Sequence, residues 1–123
     1  MANFGLIAYG SYLPFQAISR QSIFDQIGWI QGSLKAYAKG KRSYADWDED
    51  AVTRAVAAAR QLLKTADNTQ VQQLSFASTT APFLDRSNAG IVAAALDLAD
   101  HTHCYDSSGS QRAALAPLVT ACH

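Results

Sequence analysis

The residues of this chain best equipped for chemistry gather in HTHCYDSSGSQRAALAPL, positions 101–118. An apolar strand, His103-Cys104-Tyr105, runs into the small-residue turn Ser107-Ser108-Gly109-Ser110 and then into an Ala- and Leu-rich helix. A nucleophile on such a turn sits at a helix N-terminus, where free backbone N–H groups and the helix dipole stabilise a thiolate. Four candidates present themselves: Cys104, Ser107, Ser108 and Ser110. The serines flank Gly109 but do not form the G-x-S-x-G nucleophile elbow. A hydrolase would also need a His base held by an acid, and His101 and His103 are too close in sequence to fold back onto the turn. The serines therefore read first as caps for free N–H groups. Cys104 lies on the strand, before Asp106, and reads as a plain buried cysteine facing the sheet or a subunit interface.

Other groups with chemical potential have simpler uses. Asp48-Glu49-Asp50 resembles a carboxylate pair, but it stands at a helix start, where negative charge complements the dipole. Thr79-Thr80, just before Pro82, reads as turn chemistry. Arg20, Lys39, Lys41 and Arg42 form a basic, solvated stretch, and Trp29 and Trp47 are expected to anchor helices. His101-Thr102-His103-Cys104 alternates as a strand does, and no second ligand pair has zinc-site spacing, so no metal site is expected.

The elements that must position these residues can be traced along the chain. Phe4 to Tyr9 is an apolar run closed by Gly10 and Pro14, and it predicts a buried strand. A helix over 19–30 follows, with Ser19 or Ser22 as cap and Ile23, Ile27 and Ile30 on one face. Residues 31–45 lack periodicity and predict a mobile surface excursion. The strongest helix spans Asp48 to Lys64, with Val52, Val56, Ala59 and Leu63 as its apolar stripe and Arg60 and Lys64 near its end. Val71 to Ser78 predicts a strand. Ser87 caps a helix through Leu98 in which Ile91, Ala94, Ala95 and Leu98 share a face. Thr102 to Asp106 predicts a further strand. Gln111 to Ala121 predicts a helix kinked at Pro117. That last helix is apolar nearly all round, as a helix buried on every side is. A chain of 123 residues holds too little protein to surround it, so something further is expected to cover it. Strands alternating with helices give an α/β layered domain with parallel strands.

Composition bounds the function. Ten basic residues balance ten acidic ones, which argues against bulk binding to nucleic acid or anionic membrane. No apolar run approaches the roughly 20 residues that span a bilayer, and no basic region precedes the apolar stretch at the N-terminus. Two cysteines, Cys104 and Cys122, make no disulfide framework, and a cytoplasmic location is expected. The length suits one domain, residues 1–123.

Three segments, GLIAYGSYLPFQAISR, KGKRSYADWDEDAVTRAVAAARQLL and LSFASTTAPF…NAGIVAAALDL…CYDSSGSQRAALAPL, together resemble the thiolase superfamily. The nearest branch is that of 3-hydroxy-3-methylglutaryl-CoA synthase and β-ketoacyl-acyl-carrier-protein synthase III. The resemblance implies the first βαβαβ half of a layered fold, with a mixed, mostly parallel sheet, incomplete without further chain. It also implies that the second half, with the later active-site His and His or Asn, is missing here. In the family a nucleophilic Cys follows, by five residues, the acidic residue that ends the strand before the elbow. Counted from Asp106, that position is Gln111, an amide that cannot attack a thioester; Cys104 and Cys122 lie elsewhere. The family's general acid/base Glu matches Thr79, whose hydroxyl cannot serve as a carboxylate base at neutral pH.

The resemblance thus implies an acyltransferase assembly in which this chain alone is not catalytic, or else a non-catalytic subunit of one. It implies no cofactor, a CoA thioester being the substrate, with Arg20 and Arg42 meeting its phosphates. The implied partners are a second copy paired through Thr102 to Asp106, or a thiolase-type subunit, with a zinc-ribbon OB-fold protein as a further candidate.

Overall fold

A computed structural model describes residues 4–122 of the chain. Its contacts divide into two units, Leu13–Glu49 on the one hand and residues 4–12 with 50–122 on the other.

The smaller unit is built on a short antiparallel pair, β1 (Ala17–Ser19) and β2 (Lys41–Ser43), in the register Ile18↔Arg42. Two backbone bonds extend the ladder beyond its ends, Tyr44 N–H to the Gln16 carbonyl (3.1 Å) and Arg20 N–H to the Gly40 carbonyl (3.0 Å). Between the strands run α1 (Arg20–Ile27) and a 3-10 helix, Gly32–Tyr37. The expected mobile excursion over 31–45 is thus largely ordered. Its elements are one 3-10 helix and one three-residue strand, too short to print a period on the sequence. Ser19 occupies the N-cap of α1 without a side-chain bond. Trp29 and Trp47, expected as anchors, are instead exposed; the Trp29 indole N–H donates back to the Gln26 carbonyl at 3.1 Å.

The larger unit carries the main core. Helix α2 (Ala51–Leu62) begins at a capping box: Thr53 N–H donates to the Asp50 carboxylate and Asp50 N–H to the Thr53 hydroxyl, both at 2.8 Å. The acidic run is therefore a helix start, since such a box satisfies two otherwise orphaned donors. Val52 and Val56 of α2 are buried, with Ala59 and Leu63 packed alongside, the stripe that the sequence predicts. They meet Phe76 of β3 (Gln73–Ala77) and Ala89 and Val92 of α3 (Asn88–Ala95), with Leu96 just beyond. Strand β4 (His103–Ser107) pairs parallel with β3, Leu74 facing Cys104 and Phe76 facing Asp106 in register.

Three sequence expectations fail here, each for a physical reason. Phe4 to Tyr9 forms no strand, and Ile7 is 99% exposed. A strand exists only through a hydrogen-bonded neighbour, and none among the described residues pairs with this segment. It instead leads to Gly10, which lies so close to α2 that a Cβ there would sit 2.8 Å from the Leu62 nitrogen and closer still to the Ala58 carbonyl. Second, α3 buries Asn88, Ala89, Val92 and Leu96, while Ala94 and Ala95 are exposed. The segment is apolar nearly all round, so periodicity could not choose its inner face. Third, no helix kinked at Pro117 runs from Gln111. Residues 111–114 are a turn, and α4 spans Leu115–Ala121. Pro117 thus falls in the first turn of α4, where N–H groups have no intrahelical acceptor and a missing one costs nothing. Leu115, Leu118 and Val119 of α4 are exposed. Among the described residues, this largely apolar helix is therefore only partly covered.

Candidate active-site edge

The parallel pairing of β3 and β4 brings their C-terminal ends together, Ala77 opposite Ser107. Ser78 N–H donates to the Ser107 carbonyl at 3.1 Å and prolongs the ladder by one rung. Two loops leave from this edge. Carboxyl ends of parallel strands are where open α/β sheets place their ligands.

The loop after β4 is the elbow. Gly109 has φ +81°, a conformation that costs a side-chain-bearing residue. The Ser107 hydroxyl donates across the turn to the Ala113 carbonyl at 2.7 Å. Arg112 N–H donates to the Ser110 hydroxyl at 3.1 Å and Ala113 N–H to the Ser110 carbonyl at 3.0 Å. Two of the three serines therefore hold the turn itself; the N-cap of α4 is Ala114, which offers no side-chain cap. Gln111 stands exposed in the turn that these bonds brace. The loop after β3 carries Thr79, also exposed, beside Ser78, whose hydroxyl accepts from Thr80 N–H at 3.0 Å. Thr79 and Gln111 thus lie on loops of the same sheet edge. Cys104 is half-buried against the core, its thiol 3.5 Å from the Thr102 carbonyl. Cys122 is exposed beyond α4.

One cluster beneath this edge is not marked by the sequence. The Asp106 carboxylate accepts three hydrogen bonds: Asn88 N–H (2.8 Å) and the Asn88 side-chain amide (2.9 Å) on one oxygen, and Ala89 N–H (2.7 Å) on the other. Desolvation pushes the Asp106 carboxyl upward, but the donors of Asn88 and Ala89 outweigh it and hold it below the ordinary aspartate value. Asn88 itself is 1% exposed. Its amide also pairs with the backbone of Phe83, donating to the carbonyl (2.9 Å) and accepting from the N–H (3.2 Å). The Ser-Asn pair before an apolar run signals a helix start, and Ser87 does cap α3 through Gly90 N–H at 3.0 Å. Nothing in the pattern reveals that the Asn is buried.

The basic residues Arg20 and Arg42 belong to the smaller unit, where both line one cleft of about 380 Å³. Its apolar wall comes from Ile23, Phe24, Ile27 and Leu34, with Tyr37 at the side. Among the described residues neither guanidinium has a carboxylate partner. Also among the described residues, no three His, Cys, Asp or Glu side chains converge as a metal site requires, and no helix is long and apolar enough to cross a membrane.

Comparison with known proteins places this architecture. Over 93% of the chain, the fold matches that of OleA from Xanthomonas campestris (TM-score 0.78, 20% identity, 36% of that chain). It also matches the 3-oxoacyl-(acyl carrier protein) synthase III FabH from Xanthomonas oryzae (TM-score 0.74, 19% identity, 37% of that chain). Over most of its length the chain thus shares the α/β fold of about a third of each of these proteins. No family model matches it. In sequence it is homologous to the hydroxymethylglutaryl-CoA synthases. It is 30% identical over 112 residues to that of Aeropyrum pernix, covering 89% of this chain and 31% of the relative. It is 29% identical over 98 residues to that of Pyrococcus furiosus, covering 78% and 27% respectively. The chain therefore spans less than a third of the curated relatives that it matches.

Proposed function

We propose that this chain forms part of an acyltransferase of 3-hydroxy-3-methylglutaryl-CoA-synthase type that handles acyl-CoA or a related acyl donor. In it Gln111 occupies the nucleophile position and Thr79 the general acid/base position. The observation that carries this reading is homology to hydroxymethylglutaryl-CoA synthases over most of the chain, joined to an elbow turn that presents Gln111 to solvent. An amide side chain has no electron pair basic enough to open a thioester, and a threonine hydroxyl does not take a proton at neutral pH. What remains at the edge is the power to bind and orient. The acyl-accepting thiol then resides on another polypeptide, a thiolase-type subunit. Arg20 and Arg42 meet the phosphates of the CoA donor, for which two unpaired guanidiniums beside an apolar wall are suited.

The test is acyl transfer from labelled acetyl-CoA to the native assembly. The expected result is label on a companion chain and none on this one; stable label on this chain would refute the assignment. Arg20→Ala and Arg42→Ala should each weaken CoA binding by roughly tenfold or more, as loss of a charge-assisted contact does.

A second reading has its own support. The exposed apolar side of α4 favours a non-catalytic subunit that contributes interface and channel wall, pairing with a second copy through β4 or with a thiolase-type subunit. A zinc-ribbon OB-fold protein would be a further member of such an assembly. Under that reading Arg20→Ala and Arg42→Ala leave CoA binding unchanged, while substitutions on α4 dissolve the complex.

A further inference from the structure

We infer that Asn88 and Asp106 act as a positioning pair that fixes the two edge loops relative to one another, a role that rests on reading Thr79 and Gln111 as the site positions. Asn88 is the only fully buried polar side chain among the described residues. Both of its N–H donors and its carbonyl oxygen are engaged in holding the two loops. Through the Phe83 carbonyl (2.9 Å) and N–H (3.2 Å) it grips the loop that carries Thr79. Through the Asp106 carboxylate (2.9 Å) it grips the end of β4, from which the elbow with Gln111 departs. The main chain doubles the second grip, because Asn88 and Ala89 N–H both donate to Asp106.

Only a side-chain amide does this work. It must accept from Phe83 N–H and donate to two oxygens at once, which neither a carboxylate nor a hydroxyl can do. A bridge of this kind is costly to leave half-made on its Asn88 side, since that amide is buried and has little water to turn to, whereas Asp106 is exposed. The core of α2, β3 and α3 is packed by Val52, Val56, Phe76, Ala89, Val92 and Leu96, of which Ala89 alone bonds to the pair, through its N–H to Asp106.

Backbone amide exchange in the full chain, as purified with whatever accompanies it, distinguishes positioning from mere stabilisation. In Asn88→Asp, exchange should accelerate roughly ten- to hundredfold in both loops together, residues 79–87 and 107–114, from the loss of one to two such bonds. Exchange in α2 should stay as in the parent. Asp106→Asn should accelerate the elbow in the same way, because the new amide cannot accept from both Ala89 and Asn88. Ser107→Ala should loosen the elbow alone. Acceleration confined to residues 83–89, or spread evenly over α2 as well, would overturn the inference. So would global unfolding of both Asn88→Asp and Asp106→Asn, since a positioning pair leaves the core intact. The readout needs no acyl donor, so failure of the CoA reading leaves this result to stand or fall separately.

Discussion

Replacing Leu118 by Asp separates what α4 contributes to this chain from what it contributes to an assembly. Leu118 is 61% exposed, so about two-fifths of its surface is covered within the chain. Full burial of a Leu side chain is worth roughly 1.5–3 kcal/mol. The covered share is then about 0.6–1.2 kcal/mol, and the lower helix propensity of Asp adds a few tenths. For a domain of this size that amounts to a fall in Tm of about 3–6 °C. If a partner covers α4, the same substitution removes the remaining burial and places a carboxylate in an apolar contact, at a cost of several kcal/mol. Association should then weaken by at least a hundredfold. Thermal melting of the isolated chain reads the first quantity, and light scattering across a dilution series of the native complex reads the second. A large loss of stability in the isolated chain with undiminished association would refute the reasoning, because α4 would then be packed from within.

Three further outcomes follow from local geometry. Asp97 sits at φ +54° just past α3, its N–H bonded to the Ala94 carbonyl and Leu98 N–H to the Ala93 carbonyl, a Schellman-type ending. Asp97→Gly relieves left-handed strain of about 1–2 kcal/mol against an unfolded-chain entropy cost of about 0.4–1 kcal/mol, so Tm should rise slightly, whereas Asp97→Ala should lower it. Gly10→Ala should release residues 4–12 from α2, seen as new protease cleavage there with the core melt little changed, because the intruding Cβ meets backbone that cannot yield. Asp106 has a folded pKa below its ordinary 3.8, so the unfolded chain binds more protons in acid. Its contribution is complete above that value and is lost as pH falls through the folded pKa; urea midpoints across this window should fall less steeply in Asp106→Asn than in the parent.

What was legible in the sequence is what local chemistry dictates. The stripe Val52, Val56, Ala59, Leu63 and the acidic start of α2 appear as read, because capping and helical period are properties of neighbours in sequence. Ser87 caps α3, and β3 and β4 fall within a residue or two of their expected bounds. What was not legible depends on distant partners. Phe4 to Tyr9 has the apolarity of a strand without a ladder to join. The face of α3 could not be chosen where nearly every residue is apolar. Pro117 could be placed in a first turn only once Ser107 and Ser110 were seen to hold the elbow turn through Ala113. An asparagine is by type more often exposed than buried, and only the fold shows that Phe83 and Asp106 hold the Asn88 amide.

The most direct test of the central claim is the intact mass and stoichiometry of the undenatured protein, isolated from its native source and measured by native mass spectrometry. An acyltransferase assembly predicts polypeptide beyond these 123 residues, of about the length by which the hydroxymethylglutaryl-CoA synthases exceed the matched segment, carrying a cysteine that accepts an acyl group. A lone folded species of 13.2 kDa that binds no acyl-CoA would contradict it.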